Sequence, residues 1–348
     1  MYLLRESDAP VICRTNSAMH HALQTLAHPH TTHDDWLTPW GVRKLASKIR
    51  SYKPAVVAAH TSTAHGAAVR ASQCPVVVHR RVDFTPSWTS RRKYLSAAGF
   101  IAVSDAVVSV LAGHGVPEAR IVSVPDGVDI EALNVAQPVH DRKGWTRADD
   151  VPCLLAVGAL VDHKAHRTLL SALARLPHAR LLLVGSGPLR ASLERWAGRI
   201  GVADRVQMLG QRDDVFGLLK VVDVFVHPSK LEGRGQAVIE ALLAGTPVVA
   251  TSAGGVPETV GSGGRIVPPE CPDQLADAIR DVLAQPAQAR SLAKARRDEV
   301  RRWADLDTYR RRTYEAYEHF ASLTTHNDSG AIQGTRSDFN DARRFPTT

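Results

Sequence analysis

Cysteines and aromatic residues are scarce in this sequence, and long apolar runs are absent from it. The 4 cysteines are far apart and form no C-x-x-C pair, which argues against a disulfide framework or a metal knuckle and indicates a reducing cytosol. No apolar run approaches the ~20 residues that a membrane span needs, and the first residues do not resemble a signal peptide. The 16 histidines lack the spacing of a zinc site. We therefore expect a cytoplasmic protein with no metal and no cofactor.

Acidic residues are outnumbered by basic ones, 35 to 43, which gives a formal net charge of +8. Arginine doublets and one triplet contribute to this charge, at 80–81, 91–92, 296–297, 301–302 and 310–312. They are typical of solvated helix faces, but they also fit peripheral contact with an anionic inner membrane face, where each basic residue contributes roughly 1 kcal/mol. Nucleic acid is not expected as a partner, because the basic residues are not interleaved with aromatic ones and no reader motif is present.

The chain of 348 residues is long enough for two domains, each with its own core. In the C-terminal half, short apolar segments alternate with helical patterns, which predicts a parallel sheet with helical crossovers. Its strands are predicted at 153–158, 180–184, 206–209, 222–226 and 248–250, and its helices at 167–175, 189–200, 214–220 and 236–244. The N-terminal half is a less complete version of the same α/β pattern. Its strands are predicted at 55–59, 75–79 and 100–103, and its helices at 42–51 and 104–114.

The same patterns predict the domain boundaries. We expect an N-terminal domain over 1–133, a polar and charged linker over 134–150 and a C-terminal domain over 151–304. A helix at 306–320 lies within a further segment, 305–321. Residues 322–348 are rich in Thr, Asn, Asp, Ser and Gly without periodicity, which predicts a disordered tail.

The segment 229–258 carries the clearest functional signal. Glu232 and Glu240 stand with seven residues between them, and Gly233 and Gly235 lie at the entrance to the predicted helix 236–244. The glycines let the backbone approach a ligand closely, and the helix N-terminus favours a diphosphate by about 0.3–1 kcal/mol per charge. Glu232 is placed to accept hydrogen bonds from sugar hydroxyls, and Glu240 from the two hydroxyls of a ribose. The pattern therefore predicts a site for a phosphorylated, hydroxyl-rich ligand.

Glycine or polar residues also follow the other strands of the predicted C-terminal sheet. Gly158, Gly185, Gly210 and Ser229 each come at the end of a predicted strand. Ligands of parallel α/β sheets lie beyond the carboxyl ends of the strands, so we expect these residues to line one edge of the sheet.

The segment 229–258 resembles the E-x7-E signature of retaining glycosyltransferases of family 4 (group 1), which have the GT-B fold. The similarity extends from about residue 56 to 260. It implies an α/β fold of two Rossmann-like domains and metal-independent transfer from a nucleotide-diphosphate sugar with retention at the anomeric carbon. It also implies that Glu232 lies near the donor sugar and Glu240 on the ribose, and that the last helix packs back on the N-terminal domain. The loop that it implies for donor binding consists of Gly233, Arg234, Gly235 and Gln236.

The resemblance assigns further residues on the C-terminal side. Lys164 matches the phosphate-binding lysine of the family, and an ammonium there would stabilise the leaving diphosphate. The family commonly has an arginine five residues earlier, where this chain has Ala159; loss of one charged hydrogen bond costs about 1.5–3 kcal/mol. Gly158 adjoins this position. Gly210 and Arg212 match the region where family members hold the base.

On the N-terminal side, His60 matches the second histidine of the family's H-x-H pattern, near the donor sugar, and His65 is expected to line the same cleft. The R-R-V-D-F sequence at 80–84 resembles a segment of a subset of these transferases. It suggests that Arg80 and Arg81 meet an acidic acceptor or the diphosphate; the alternative is a loop ion pair with Asp83.

One family feature has no counterpart here. Members usually begin with a strand, a Gly-Gly loop and a helix, whereas residues 1–4 look more like their second strand, so we expect an N-terminal domain without the first strand and its loop. A degenerate, non-catalytic nucleotide-sugar binder and a nucleotide-sugar hydrolase or epimerase stay open as alternatives. The expected acceptor is a glycan or a lipid-linked glycan, such as lipopolysaccharide core, and an oxidoreductase is disfavoured because no G-x-G-x-x-G follows an early strand.

Overall fold

The computed structural model describes residues 9–26, 28–139 and 151–325. Two compact units share the chain: the first comprises Met1–Arg80, Thr85–Val124 and Tyr309–Thr348, and the second comprises Arg81–Phe84 and Pro125–Thr308. In the described residues, every helix is too short or too polar to cross a membrane. The same residues contain no cluster of His, Cys, Asp or Glu that suits a metal ion.

The first unit contains two parallel sheets. Strands β1 (Val11–Cys13) and β2 (His30–Thr32) form a pair, and a four-stranded sheet has the order β3-β4-β5-β6. Those four strands are β3 (Val57–Ala59), β4 (Val76–Arg80), β5 (Gly99–Ala102) and β6 (Ile121–Ser123). The helices between them are α1 (Ala18–Thr25), α2 (Pro39–Tyr52), α3 (Ser62–Ala71), α4 (Arg91–Leu95) and α5 (Asp105–Gly113).

Side-chain caps begin four of these helices. Ser17, Thr38, Thr61 and Ser104 each accept a hydrogen bond from a backbone amide of the first turn, in α1, α2, α3 and α5 respectively. Such a cap stabilises a helix by typically ~1 kcal/mol. In the described part of the unit, the turn that follows β1 has no glycine pair and places Asn16 in the left-handed region instead. Residues 1–4, for which a strand was predicted, lie outside the described residues.

The second unit begins with α6 (Ile130–Val135) and continues as a regular strand-helix alternation. Its strands are β7 (Cys153–Val157), β8 (Arg180–Val184), β9 (Val206–Gly210), β10 (Val224–His227), β11 (Val248–Thr251) and β12 (Gly264–Val267). Its helices are α7 (His166–Leu173), α8 (Arg190–Arg199), α9 (Val215–Leu219), α10 (Gln236–Leu243), α11 (Val256–Val260), α12 (Pro272–Ala284) and α13 (Pro286–Ala304).

All six strands of this sheet are parallel, in the order β12-β11-β10-β7-β8-β9. From β7 the strands are added outward to β8 and β9 on one side, and then to β10, β11 and β12 on the other. The space between the neighbouring strands β7 and β10 is therefore the topological switch point, where open α/β sheets bind ligands. The inner strands are apolar over most of their length, because helices cover both faces; Leu154, Leu155 and Val226 are fully buried. The predicted strands and helices of both halves are present, with ends within about three residues of the prediction.

Helix α14 (Leu306–Thr325) ends the described chain. Its Phe320 packs in one apolar cluster with Val77 and Ile101 of the first unit. A Cβ at Gly99 would overlap the Phe320 ring, so this contact requires glycine. The helix extends into the segment 322–348, where a tail was predicted, and α6 extends into the predicted linker 134–150. Residues 140–150 and 326–348 lie outside the described residues.

Candidate active site

The two strands that flank the switch point, β7 and β10, each lead into a loop that carries a charged side chain. After β7 the loop contains Lys164, and after β10 it contains Glu232. Lys164 Nζ forms an ion pair with Glu232 Oε2, and both side chains are largely buried. The structure therefore brings these two predicted residues together, although they are far apart in sequence.

Glu232 has two further partners from its own loop. Its Oε2 lies 3.0 Å from His227 Nε2 and accepts a hydrogen bond of 3.4 Å from Ser229 Oγ. Ser229 Oγ also lies 3.0 Å from His227 Nε2. Thr251 on β11 fixes the loop by donating to the carbonyl oxygens of His227 and Ser229. The sequence placed Ser229 at this edge of the sheet, but it assigned neither His227 nor Ser229 a role in the site.

These contacts set the charge of Glu232. Burial on its own raises the pKa of this carboxyl, but the hydrogen bonds and charges of His227 and Lys164 outweigh it and bring the pKa to about 2. Glu232 is therefore ionised throughout the neutral range, and the ammonium of Lys164 is held beside it.

The loop after Glu232 ends in the N-terminus of α10. Gly235, the residue before the helix, has φ +86° and caps it without a side chain. A Cβ there would make a tight contact of 3.1 Å with Val238 Cγ2, and the positive φ is the main reason that this position favours glycine. The first turn of α10 thus presents its amide groups beside the Lys164–Glu232 pair, an arrangement that favours anions.

Glu240 lies one turn further along α10. Gln236 Nε2 donates to Glu240 Oε1 at 3.5 Å and to the Gly127 carbonyl at 3.3 Å. Burial raises the pKa of Glu240 to about 7, although the hydrogen bond from Gln236 lowers it. Among the described residues, the buried Gln236 Oε1 has no hydrogen-bond partner. A carboxyl group with so little solvation and an unused acceptor beside it suit a ligand that carries hydroxyl donors.

These opposite pKa shifts predict opposite pH effects on stability. Because the pKa of Glu240 is raised on folding, its contribution to stability is present below about pH 4.5 and is lost as the pH rises through 7. Glu240→Gln is expected to make the ligand-free protein more stable than wild type at pH 8, by up to about 3 kcal/mol. Urea unfolding at pH 5 and pH 8 measures this difference.

The matched variant Glu232→Gln has the opposite expectation. The depressed pKa of Glu232 stabilises the fold above about pH 4.5, and this contribution is lost as the pH falls toward 2. Glu232→Gln should therefore be less stable than wild type at pH 8. Equal stabilities of the two variants at pH 8 would contradict both assignments.

A buried histidine contacts the loop that follows β7. His166, at the start of α7, lies with Nε2 3.1 Å from the Ala159 carbonyl oxygen. Burial lowers the pKa of His166 to about 4, with smaller effects from its neighbours, so the ring is neutral at pH 7 and Nε2–H donates to that carbonyl. A Cβ at Gly158 would find its nearest neighbours, His166 and Lys164, at 3.7 Å. A side chain at position 158 would therefore be in van der Waals contact with both residues.

The loops after β8 and β9 complete the edge of the sheet. Gly185 has φ +139°, and a Cβ there would overlap the carbonyl oxygen of Gly158. Its amide donates to the Gly210 carbonyl at 2.8 Å. Arg212, predicted to contact the base, instead donates from Nε to Asp214 Oδ1 at 2.7 Å and from Nη2 to Oδ2 at 2.5 Å. Its guanidinium is thus engaged within its own loop.

Arg234 lies in the loop 233–236, for which donor binding was predicted, but its side chain is 6% exposed. The guanidinium lies 4.4 Å from the centre of the Trp303 ring on α13 and 3.5 Å from Glu258 Oε2 on α11. The carbonyl of Arg234 accepts a hydrogen bond from Thr259 Oγ1. We conclude that this arginine anchors the loop to two helices of the second unit.

The second glycine loop packs directly on the first. Gly255 N donates to the Gly233 carbonyl at 3.1 Å. Gly254 has φ +48°, and a Cβ there would overlap the carbonyl oxygen of Glu232. Glu232 is therefore positioned from both sides, by its ion pair and by this close backbone contact.

The predicted residues of the first unit have different environments. His60 is exposed at the end of β3 and stacks on His79, with ring centroids 4.1 Å apart. His65, predicted to line a cleft, is 1% exposed and packs among Tyr94 and Phe100. Burial, with a smaller effect of the Lys93 charge, lowers the pKa of His65 to about 4. The expectation for His65 is thus corrected: the side chain belongs to the core of the first unit.

The two arginines of the R-R-V-D-F segment also differ. Arg80 is buried in the first unit, where Nη1 donates to the Tyr94 hydroxyl at 2.9 Å. Arg81 belongs to the second unit and pairs with Asp126, Nε to Oδ1, at 2.9 Å. Asp126 is therefore an observed ion-pair partner of Arg81.

The two parallel α/β units match solved structures of GT-B glycosyltransferases. HepE of Anabaena, solved in complex with UDP and glucose, superposes with a TM-score of 0.80 at 22% sequence identity, covering 91% of this chain and 94% of that chain. This likeness confirms the predicted fold class. Family models match both halves: Glycosyltransferase Family 4 over residues 10–132, and Glycosyl transferases group 1 over residues 140–299. The chain therefore belongs to the family 4 (group 1) glycosyltransferases.

Two curated relatives are similar over parts of their length. The lipopolysaccharide core biosynthesis glycosyltransferase LpsE of Rhizobium meliloti is 39% identical over 115 residues, which is 33% of this chain and 34% of the relative. A GDP-mannose-dependent phosphatidylinositol monomannoside mannosyltransferase of Mycobacterium tuberculosis is 31% identical over 274 residues, 70% of this chain and 66% of the relative. The chain thus spans two thirds or less of the length of these relatives.

Proposed function

We propose that this protein is a retaining, metal-independent glycosyltransferase that moves a sugar from a nucleotide-diphosphate sugar to a glycan or lipid-linked acceptor. The observation that carries the proposal is the ion pair of Lys164 with Glu232 at the switch point, next to the N-terminus of α10. It combines, at one edge of one sheet, an ammonium for a diphosphate and a carboxylate for sugar hydroxyls.

The donor is proposed to bind along this edge. Its diphosphate lies against Lys164 and the first turn of α10, and its ribose hydroxyls donate to Glu240. The sugar lies against Glu232, and the base lies near Gly210, where a Cβ would meet open space. Arg212 and Arg234 take supporting roles, because their guanidinium groups are paired within the second unit.

The chemical step follows from the charges. Lys164 stabilises the negative charge that develops on the leaving diphosphate, which is the largest effect that such a site can supply. Glu232 is a poor nucleophile, since Oε2 already contacts Lys164 and His227. We therefore propose that the acceptor attacks from the face that the diphosphate leaves, with the leaving phosphate taking the acceptor's proton. His60, exposed at the end of β3 in the first unit, is proposed as a further catalytic residue.

Two observations support an acceptor at a membrane. The relatives named above act, by their names, in lipopolysaccharide core synthesis and on a phosphatidylinositol mannoside. In the first unit, Trp88 is 76% exposed, and the guanidinium of Arg91 lies 5.2 Å from its ring centre. An aromatic side chain beside a cation suits the interface of an anionic bilayer. We propose a cytoplasmic protein in peripheral contact with the inner membrane face.

Donor binding and turnover test the proposal. A panel of UDP-, GDP- and ADP-sugars is titrated calorimetrically into wild type, Glu240→Ala and the control Glu194→Ala, which removes an exposed glutamate of α8. We expect one donor to bind saturably and to bind Glu240→Ala at least about tenfold more weakly, because charged hydrogen bonds are lost. Glu194→Ala should bind as wild type does.

Turnover then separates the alternatives. Transfer of labelled sugar to a membrane glycan extract supports the transferase. Donor binding without transfer or hydrolysis indicates a degenerate binder, and nucleotide release without acceptor indicates a hydrolase. Absence of binding by every donor would contradict the assignment of the site.

A further inference from the structure

Positive charge is concentrated around one aromatic ring of the first unit, outside the donor site. The Arg80 guanidinium lies 5.8 Å and the Lys93 ammonium 5.4 Å from the centre of the Tyr94 ring. Arg80 also donates to the Tyr94 hydroxyl. Arg80 is the last residue of β4, at the carboxyl edge of the four-stranded sheet, and this edge is where parallel sheets bind ligands. Lys93 lies on α4 and reaches Ser62, at the start of the helix that follows β3.

Of Arg80, Lys93 and Tyr94, Lys93 is the residue whose side chain is partly exposed to solvent. Its side chain is half-buried, and Nζ donates to Ser62 Oγ at 3.0 Å. In the described part of the chain, no carboxylate lies within 4.0 Å of its ammonium. Burial, and then the charge of Arg80, lower the pKa of Lys93. An ammonium that is partly desolvated beside another cation and without a counter-charge is unfavourable unless a ligand supplies the negative charge.

The surroundings of Lys93 indicate which anion fits. Ser62 is the first residue of α3, a helix of 10 residues, so its hydroxyl and the positive end of the helix reinforce the ammonium. Ser62 Oγ and Lys93 Nζ provide two donors 3.0 Å apart, which matches a group with several acceptor oxygens. A phosphate group meets this requirement.

We propose that Lys93 and Ser62, with the charge of Arg80 behind them, bind a phosphate group of the acceptor. The assignment of the phosphate to the acceptor rests on the proposed function, but the phosphate site itself depends only on residues of the first unit. The phosphate belongs either to a soluble sugar phosphate or to a lipid headgroup. In both cases the acceptor is anchored by its phosphate while a hydroxyl is glycosylated.

The test is phosphate binding by the full-length protein. Inorganic phosphate and glycerol phosphate are titrated, and binding is followed by the amide shifts of Ser62 and its neighbours in the NMR spectrum. Lys93→Met keeps the apolar stem but removes the charge, and Lys44→Met is the control, an exposed lysine of α2. We expect Lys93→Met to bind about tenfold more weakly or worse, as for loss of a charged hydrogen bond, and Lys44→Met to bind as wild type does.

A second variant and a second ligand complete the design. Ser62→Ala keeps the charge and should weaken binding by less than Lys93→Met does. Vesicles of phosphatidylcholine with phosphatidylglycerol identify a lipid source if they displace glycerol phosphate, and vesicles of phosphatidylcholine alone serve as their blank. Equal phosphate binding by Lys93→Met and Lys44→Met would overturn the inference.

Donor titration of the same variants separates this inference from the proposed function. Lys93→Met should bind the nucleotide sugar as wild type does, because the donor residues lie in the second unit. If no variant binds any donor but phosphate binding still depends on Lys93, the proposed function fails and the phosphate site stands.

Discussion

Replacement of Lys164 by methionine is expected to lower kcat for sugar transfer by about 10²–10³-fold. The ammonium is the side-chain cation paired with Glu232 at the switch point, and this chain has alanine at 159, where the family commonly supplies an arginine. Loss of the ammonium therefore removes most of the side-chain charge that is available to the leaving diphosphate. Steady-state kinetics with a saturating donor measure the effect, and thermal unfolding checks that the variant is folded.

Lys230→Met is the matched control for this experiment. Lys230 is a lysine of the same unit that pairs with Asp162 and Glu270 at 2.8 and 3.4 Å, and both carboxylates are well exposed. Exposed pairs contribute about 0–1 kcal/mol, so kcat should change less than about fivefold. A wild-type kcat for Lys164→Met would remove the central element of the proposed mechanism.

The second large effect is expected for Gly254→Ala. Alanine in the left-handed conformation costs roughly 1–2 kcal/mol, and its Cβ would in addition overlap the carbonyl oxygen of Glu232. The backbone of the donor loop must then move, which displaces Glu232 from Lys164. We expect a loss of more than about 2 kcal/mol of stability and a donor affinity reduced at least tenfold, as for about 1.4 kcal/mol or more of lost binding energy.

Alanine variants of two other glycines separate the cost of backbone strain from the cost of the contact with Glu232. Gly210 has φ +71° but open space around a Cβ, so Gly210→Ala reports backbone strain alone. Gly198, within α8, has neither strain nor a close neighbour, and Gly198→Ala should stabilise the protein by roughly 0.5–1 kcal/mol. Urea unfolding should rank the stabilities as Gly198→Ala, Gly210→Ala and Gly254→Ala, from highest to lowest. If Gly254→Ala equals Gly210→Ala, the loop contact does not position Glu232.

The second unit was the more predictable half of the fold. Its inner strands are apolar over most of their length because helices cover both faces, and glycines stand at positions 185 and 254, where two loop backbones touch. Both properties are visible in the sequence. By contrast, β1 and β2 have only three residues each. The apolar run of β1 is short, and β2, which is His-Thr-Thr, has no apolar pattern at all. Their pairing depends on contacts between segments that are separated by a helix.

The site was predictable to the extent that it depends on spacing. The interval from Glu232 to Glu240 placed one carboxylate before the helix and the other one turn inside it. The sequence could not show that His65 is buried and His60 exposed, because a histidine is compatible with either environment. It also could not show that Glu240 has a pKa of about 7, since that value depends on how much solvent the folded chain excludes.

The buried position of Arg234 has a consequence for the history of the family. Its guanidinium contacts both Trp303 and Glu258, which lie on two different helices. Replacement of any one of the three residues alone would therefore leave a buried charge or an unfilled space. Homologues that have an apolar residue at the position of Arg234 should therefore differ at those of Trp303 and Glu258 as well. The three positions should covary as one unit, and a donor loop transplanted between homologues should function only when its partners on α11 and α13 are transplanted with it.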